Sequence, residues 1–268
     1  AMFNGARLIG PTLAGVAIAA FGEGLCFLFN AVSFLAVIWA LMLMDMPAFR
    51  QDKTNTHILQ GLKEGAHYTF GSPTIRAILI QVSSMSLIGM SYVVLMPIFA
   101  KNILRGGPQT LGLLVAGVGI GALFGALLLA SRKETGGLLK MIGIASLIFS
   151  GALIAFSLSR WFPLSMAITL FLGFGMMSQM VSCNTVIQTI VDDDKRGRVL
   201  SFYTMSFMGI SPFGALIMGS LASRLGAPLS TLIGGLCCLL IASFYLRRLP
   251  VLRQDVKDTL ARKVELPE

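Results

Sequence analysis

The 268-residue chain is 55% hydrophobic and only 12% charged, about half the charged share of an ordinary soluble domain. That balance excludes a disordered chain, a disulfide-stapled secreted domain and a typical cytosolic enzyme. The 21 Lys and Arg against 12 Asp and Glu leave a net charge of +9. With a mean hydropathy of +0.81, this excess marks a membrane protein and not a nucleic-acid binder.

Taken in chain order, eight stretches have the length and apolar character of a bilayer-spanning helix: 1–21, 25–44, 75–100, 110–130, 138–158, 164–190, 199–221 and 229–246. Such a helix needs about 20 mostly apolar residues. The stretches do not alternate polar with apolar, as barrel strands would, so the expected fold is an all-α, multi-spanning membrane protein. Residues 59–70 read as a surface helix in the basic connection 45–74, and 247–268 as a charged tail. Eight crossings divide the basic residues into 16 on one side and 4 on the other, with Arg7 inside the first span. The positive-inside rule makes the richer side, which includes the C-terminus, cytoplasmic.

Cys26, Cys183, Cys237 and Cys238 all fall in spans, with neither disulfide-framework nor zinc spacing, and His57 and His67 lie in the basic connection. No metal site or cofactor is expected from them. The spans hold no His-Glu-x2-His helix or Gly-x-Ser-x-Gly elbow, so an intramembrane enzyme is not the reading. A channel would show a pore motif or charged rings, also missing here.

The chain repeats itself. Gly10, Gly15 and Gly22 recur as Gly214, Gly219 and Gly226, each displaced by 204 residues, and the helix ends near Met46-Pro47 and Leu249-Pro250 correspond to within one residue of that shift. Spans one and two therefore read as a copy of spans seven and eight, which close a six-helix unit formed by spans three to eight. On that plan the first copy lacks the four helices that should precede it, and residue 1 falls inside a helix. The sequence reads as a fragment.

Four motifs carry a family resemblance: Asn4-Gly-Ala-Arg7-Leu-Ile-Gly10-Pro11 with Gly15; Leu62-Lys-Glu-Gly65 followed by Ser72-Pro73; Leu111-Gly112 with Gly117, Gly119 and Gly121; and Arg196-Gly-Arg198-Val-Leu-Ser with Tyr203. In this order they resemble the bacterial drug and siderophore exporters of the major facilitator superfamily, also called transmembrane secretion effectors. The pseudo-repeat of that superfamily's best-known loop motif should fall at Ser131-Arg132-Lys133-Glu134, where the pattern is eroded. The resemblance implies two parallel-related bundles, with the eight spans here standing for helices five to twelve of twelve. The implied divisions are 1–46 (end of the first bundle), 47–73 (inter-bundle loop), 74–246 (second bundle) and 247–268 (tail). It further implies a bacterial inner-membrane location and export of small amphipathic molecules by alternating access. Protons are the candidate coupling ion, and the complete protein is expected to be monomeric. A lipid or lysophospholipid transporter of the same superfamily is the alternative.

Polar side chains in hydrocarbon gather where they line a cavity or join helices. Span three carries Gln81, Ser84 and Tyr92 at helical spacing, and span six carries Ser178, Gln179 and Ser182 beside Met176, Met177 and Met180. These two spans take the places of the cavity-lining helices seven and ten of the resembled family. Gln81, Ser84, Tyr92, Gln179 and Ser182 are thus the expected substrate residues, with Arg7, the one charge deep in a span, as the sixth. The competing explanation for each Ser is an ordinary inter-helix hydrogen bond. Gly117, Gly121 and Gly125 share one face of span four, which with Gly10, Pro11 and Gly15 of span one would form a contact between bundles. Tight packing inside one bundle is the competing explanation. Asp194, Arg196 and Arg198 lie in a cytoplasmic turn read, by the resemblance, as a gate latch. No carboxylate lies deep in any span.

Overall fold

A computed structural model describes residues 24–25, 28–43, 58–130 and 137–265. Among these residues every regular element is a helix. In chain order they are α1 (Leu28–Met42), α2 (Ile58–Gly71), α3 (Pro73–Ile103), α4 (Pro108–Ala130), α5 (Leu138–Leu158), α6 (Phe162–Ile190), α7 (Asp193–Leu225), α8 (Ala227–Arg247) and α9 (Leu249–Glu265). The six from α3 to α8 are the described helices long and apolar enough to cross a membrane. They coincide with expected spans three to eight. Span one lies outside the described residues. Helix α1 falls within span two, and its side chains are exposed all round.

Helix limits follow local chemistry. Ser72 caps α3, its Oγ accepting from the Ile75 N–H at 3.3 Å, and Pro73 follows at the position where a missing N–H costs nothing. Helix α7 ends at Gly226, whose φ of 82° suits a residue without a Cβ. The start of α7 departs from expectation. Residues 191–198, read as a turn, enter the helix from Asp193 onward. Asp193 and Asp194 occupy its first turn, where the helix dipole favours acids.

Helix α3 is not uniform. It passes through two π-helical segments, Met85–Gly89 and Phe99–Ile103, with Pro97 in the α-helical stretch between them. Helix α7 holds a third, Met205–Gly209. Such segments insert one extra residue into the hydrogen-bond ladder and cluster at functional sites.

Helix α6 is the hub. Helix α4 lies against it so closely that a Cβ on Gly125 would sit 2.8 Å from Ser178 Oγ, and one on Gly173 would sit 2.8 Å from the Ala122 nitrogen. Gly117 faces Thr169 and Gly121 faces the Leu170 carbonyl. The glycine face of α4 is therefore filled by α6, the tight packing inside one bundle that sequence left as an alternative. The other side of the expected inter-bundle contact, Gly10, Pro11 and Gly15, lies outside the described residues. Buried apolar side chains form two clusters: one holds Ile75, Ile78, Leu79, Val82, Cys183 and Ile187, the other Met85, Leu95, Phe99, Phe149, Leu172 and Met176.

Candidate functional site

The two apolar clusters leave a polar layer between them. On α3 the first cluster ends at Val82 and the second begins at Met85; on α6 the second ends at Met176 and the first resumes at Cys183. The interval on α6 holds Ser178, Gln179 and Ser182, and Gln81 adjoins the interval on α3. Gln179 lies eleven residues before Ile190, the last residue of α6, about 16 Å from that end along the helix axis.

These polar groups are buried and unsatisfied. Gln179 is 1% and Gln81 4% exposed. Gln179 Oε1 and Nε2, Gln81 Oε1, Ser178 Oγ and Ser182 Oγ find no hydrogen-bond partner among the described residues. A buried amide without partners costs about 1–3 kcal/mol. Beside Gln179 lies a cavity of about 10 Å³, lined by Val82, Met85, Met176, Met180, Tyr203 and Phe207. It is large enough for about one water, and the flexible thioethers around it can repack.

Helix α7 reaches this cavity, a contribution that sequence reading missed. The Tyr203 hydroxyl donates to the Met180 carbonyl at 3.1 Å, and the Ser86 hydroxyl donates to the Phe207 carbonyl. Of the other expected residues, Ser84 is half-buried and bonds back to the Gln81 carbonyl at 3.0 Å, a local role. Tyr92 sits in the second apolar cluster with its ring edge toward Phe149, centroids 6.2 Å apart. Arg7 lies outside the described residues.

Residues 1–268, the whole chain, match the family described as transmembrane secretion effector. The chain belongs to that family. It is thereby a multi-pass membrane protein of the major facilitator superfamily. Two curated relatives are similar. The staphyloferrin A transporter of Staphylococcus aureus is 26% identical over 92% of this chain and 62% of its own length. The multidrug efflux pump Tap of Mycolicibacterium fortuitum is 26% identical over 84% of this chain and 56% of its own. The chain thus spans about six-tenths of the relatives that it matches. No solved structure matches.

The chain has a second polar cluster, where α2 docks on the start of α7. Arg198 Nη1 reaches Glu64 Oε2 at 3.3 Å. The Tyr68 hydroxyl donates to Asp192 Oδ2 at 3.2 Å, and the Lys195 ammonium lies 4.8 Å from the Tyr68 ring centroid. Burial, aided by the Asp192 charge, pushes the Tyr68 phenol above its ordinary value. Phe70 and Phe202 meet edge to face at 6.0 Å. Arg196 pairs with Asp193, and Asp194 lies 4.0 Å from Lys195. Of the three expected latch residues, Arg198 alone bridges to another helix here. The sequence signal that could have added Glu64 and Tyr68 is the amphipathic spacing of the expected surface helix.

Proposed function

We propose that this chain supplies the last eight helices of a twelve-helix secondary exporter of small amphipathic molecules, working by alternating access. The family match and the two relatives support export. The share of those relatives that the chain covers agrees with eight helices of twelve. On this reading α3 to α8 are the second bundle and residues 1–46 the end of the first, with the C-terminus cytoplasmic.

The observation that carries the site is Gln179, a buried amide with neither polar atom partnered, beside a deformable methionine-lined cavity. Helix packing gains nothing from such a group, whereas a substrate that enters as the bundles rock can satisfy it. Gln81 and Ser182 belong to the same layer, and Arg7 answers an anionic substrate group or a carboxylate on another helix. The cytoplasmic latch is the α2–α7 contact through Arg198, with Asp194 and Arg196 beside it on the first turn of α7. Proton coupling would draw on a titratable group outside the described spans, which carry no Asp or Glu in their apolar stretches.

Gln179→Leu separates site from scaffold. The reading expects unchanged or raised thermal stability, because an unpaired amide is replaced by an apolar group of similar size. It also expects dye or siderophore efflux to fall by roughly tenfold in cells expressing the gene. Unaltered efflux would overturn the assignment of Gln179. Efflux that survives collapse of the proton gradient would overturn proton coupling.

A further inference from the structure

The carboxylate of Asp255, on α9, occupies the first turn of α3. Its Oδ2 accepts from Thr74 Oγ1 at 2.6 Å, from the Thr74 N–H at 3.2 Å and from Ser72 Oγ at 3.5 Å. The other early donors of α3 are accounted for locally. Pro73 has no N–H, Ile75 N donates to Ser72 Oγ, and Arg76 N donates to the Ser72 carbonyl at 3.0 Å. Asp255 therefore completes the cap of a helix from 181 residues away in sequence. It brings a full negative charge to the positive end of the α3 dipole.

This cap sits at a corner. Gly71 ends α2 and Pro73 opens α3, so Ser72 is the single joint between the docked surface helix and the first helix of the six. Thr74 is fully buried there, and Leu252 of α9, 2% exposed, belongs to the same apolar cluster as Ile75, Ile78, Leu79 and Val82. Gln81, of the polar layer, lies between Leu79 and Val82 on α3. The cluster also encloses Cys183 of α6, which is wholly buried.

We propose that Asp255 is a positioning residue. Through the cap it fixes where α3 begins and at what angle, and so holds Gln81 and the α2 latch in register with α6 and α7. This rests on the transport-site reading given above. The C-terminal helix is then a brace for the cavity rather than a solvated tail.

Native cysteines make the test direct. The protein is reconstituted in membranes, exposed to N-ethylmaleimide and mapped by peptide mass spectrometry in the native, Asp255→Ala and Thr74→Val forms. Loss of the charge-assisted cap should raise the labelling rate of Cys183, which shares the apolar cluster of Ile75, Ile78, Leu79 and Val82, by roughly tenfold in Asp255→Ala and by less in Thr74→Val, which leaves two of the three donors to the carboxylate in place. The double variant should label no faster than Asp255→Ala, because the hydroxyl lost in Thr74→Val has by then no carboxylate to donate to. Cys238, which packs at Gly89 farther along α3, should keep its native rate. Unchanged Cys183, or Cys183 and Cys238 rising together, overturns the proposal, the second result meaning general loosening. Efflux supplies the other arm: Asp255→Ala should slow it several-fold. If Cys183 opens while efflux is unchanged, and Gln179→Leu does impair efflux, the positioning role is overturned. If both variants leave efflux untouched, it is the transport-site reading that fails, and the positioning role with it. The labelling result still reports the cap.

Discussion

The hydroxyl of Ser86 donates to the backbone carbonyl of Phe207, and in doing so joins the first π-segment of α3 to the π-segment of α7. The two helices also approach closely farther along α7, where a Cβ on Gly214 would run into the Leu87 carbonyl. A π-segment displaces the regular ladder and turns carbonyls toward side-chain donors. Ser86 is such a donor, and both Met85 and Phe207 line the cavity beside Gln179.

Ser86→Ala should therefore loosen the α3–α7 junction without disturbing the rest of the fold. Inter-helix hydrogen bonds in membranes contribute about 0.6–1.7 kcal/mol, so a fall in the detergent melting temperature of a few degrees is expected. Ser84→Ala, which removes only a bond within α3, should shift it less. Equal shifts for the two would mean that the junction carries no special weight.

Close approach of α4 to α6 gives the sharpest stability contrast. Gly121→Ala places a methyl group on the Leu170 carbonyl, with backbone on both sides and nothing flexible to yield. Overpacking of this kind costs about 1–3 kcal/mol or more. Gly151→Ala on α5 meets nothing within 4 Å and should be neutral or slightly stabilising. Thermal unfolding of both variants in one detergent checks the pair, and similar melting temperatures would contradict the observed α4–α6 contact.

How much of this was legible beforehand depends on which forces set each feature. The apolar stretches marked α3 to α8 because hydrocarbon selects composition directly. Their ends were less readable: Asp193 to Arg198 are helical, since dipole and cap favour acids there although hydropathy does not. Gln81, Gln179 and Ser182 stood out because polar residues are costly in such surroundings. Tyr92 was read onto the face of Gln81 from a regular period of 3.6 residues. The π-segment at Met85–Gly89 interrupts that period, and Tyr92 packs its ring near Phe149. That insertion answers to packing against α7, and no local pattern announces it. Asp255 was invisible for a similar reason, as its partners lie 181 residues or more away.

Tyr68 ties the α2 latch to pH. Its phenol donates to Asp192 only while protonated, and its titration is shifted upward from about 10 chiefly by burial, with the Asp192 charge adding to it. A raised folded value means that the contribution is fully present below pH 10 and is lost as pH rises through the shifted value. Proteolysis within residues 58–71 should accordingly increase above pH 10 in the native protein. Tyr68→Phe should be more readily cleaved at neutral pH and should show a flatter rise. An identical pH profile for the two proteins would remove Tyr68 from the latch.

The same docking offers a covalent test of gating. Built onto Gly65, a Cβ lies 3.2 Å from Arg198 Cβ, close to the separation of about 3.5–4.5 Å in disulfides. The pair Gly65→Cys and Arg198→Cys should cross-link under mild oxidation, bolting α2 to the head of α7. The ion pair that it replaces, between Arg198 and Glu64, is half exposed and contributes at most about 1 kcal/mol. Reduced protein should thus retain most of its stability and efflux. If release of α2 from α7 is part of the cycle, oxidation should halt efflux and reductant should restore it. Efflux that continues with the cross-link formed, verified by the mass of the joined peptides, would show that this contact stays closed throughout transport.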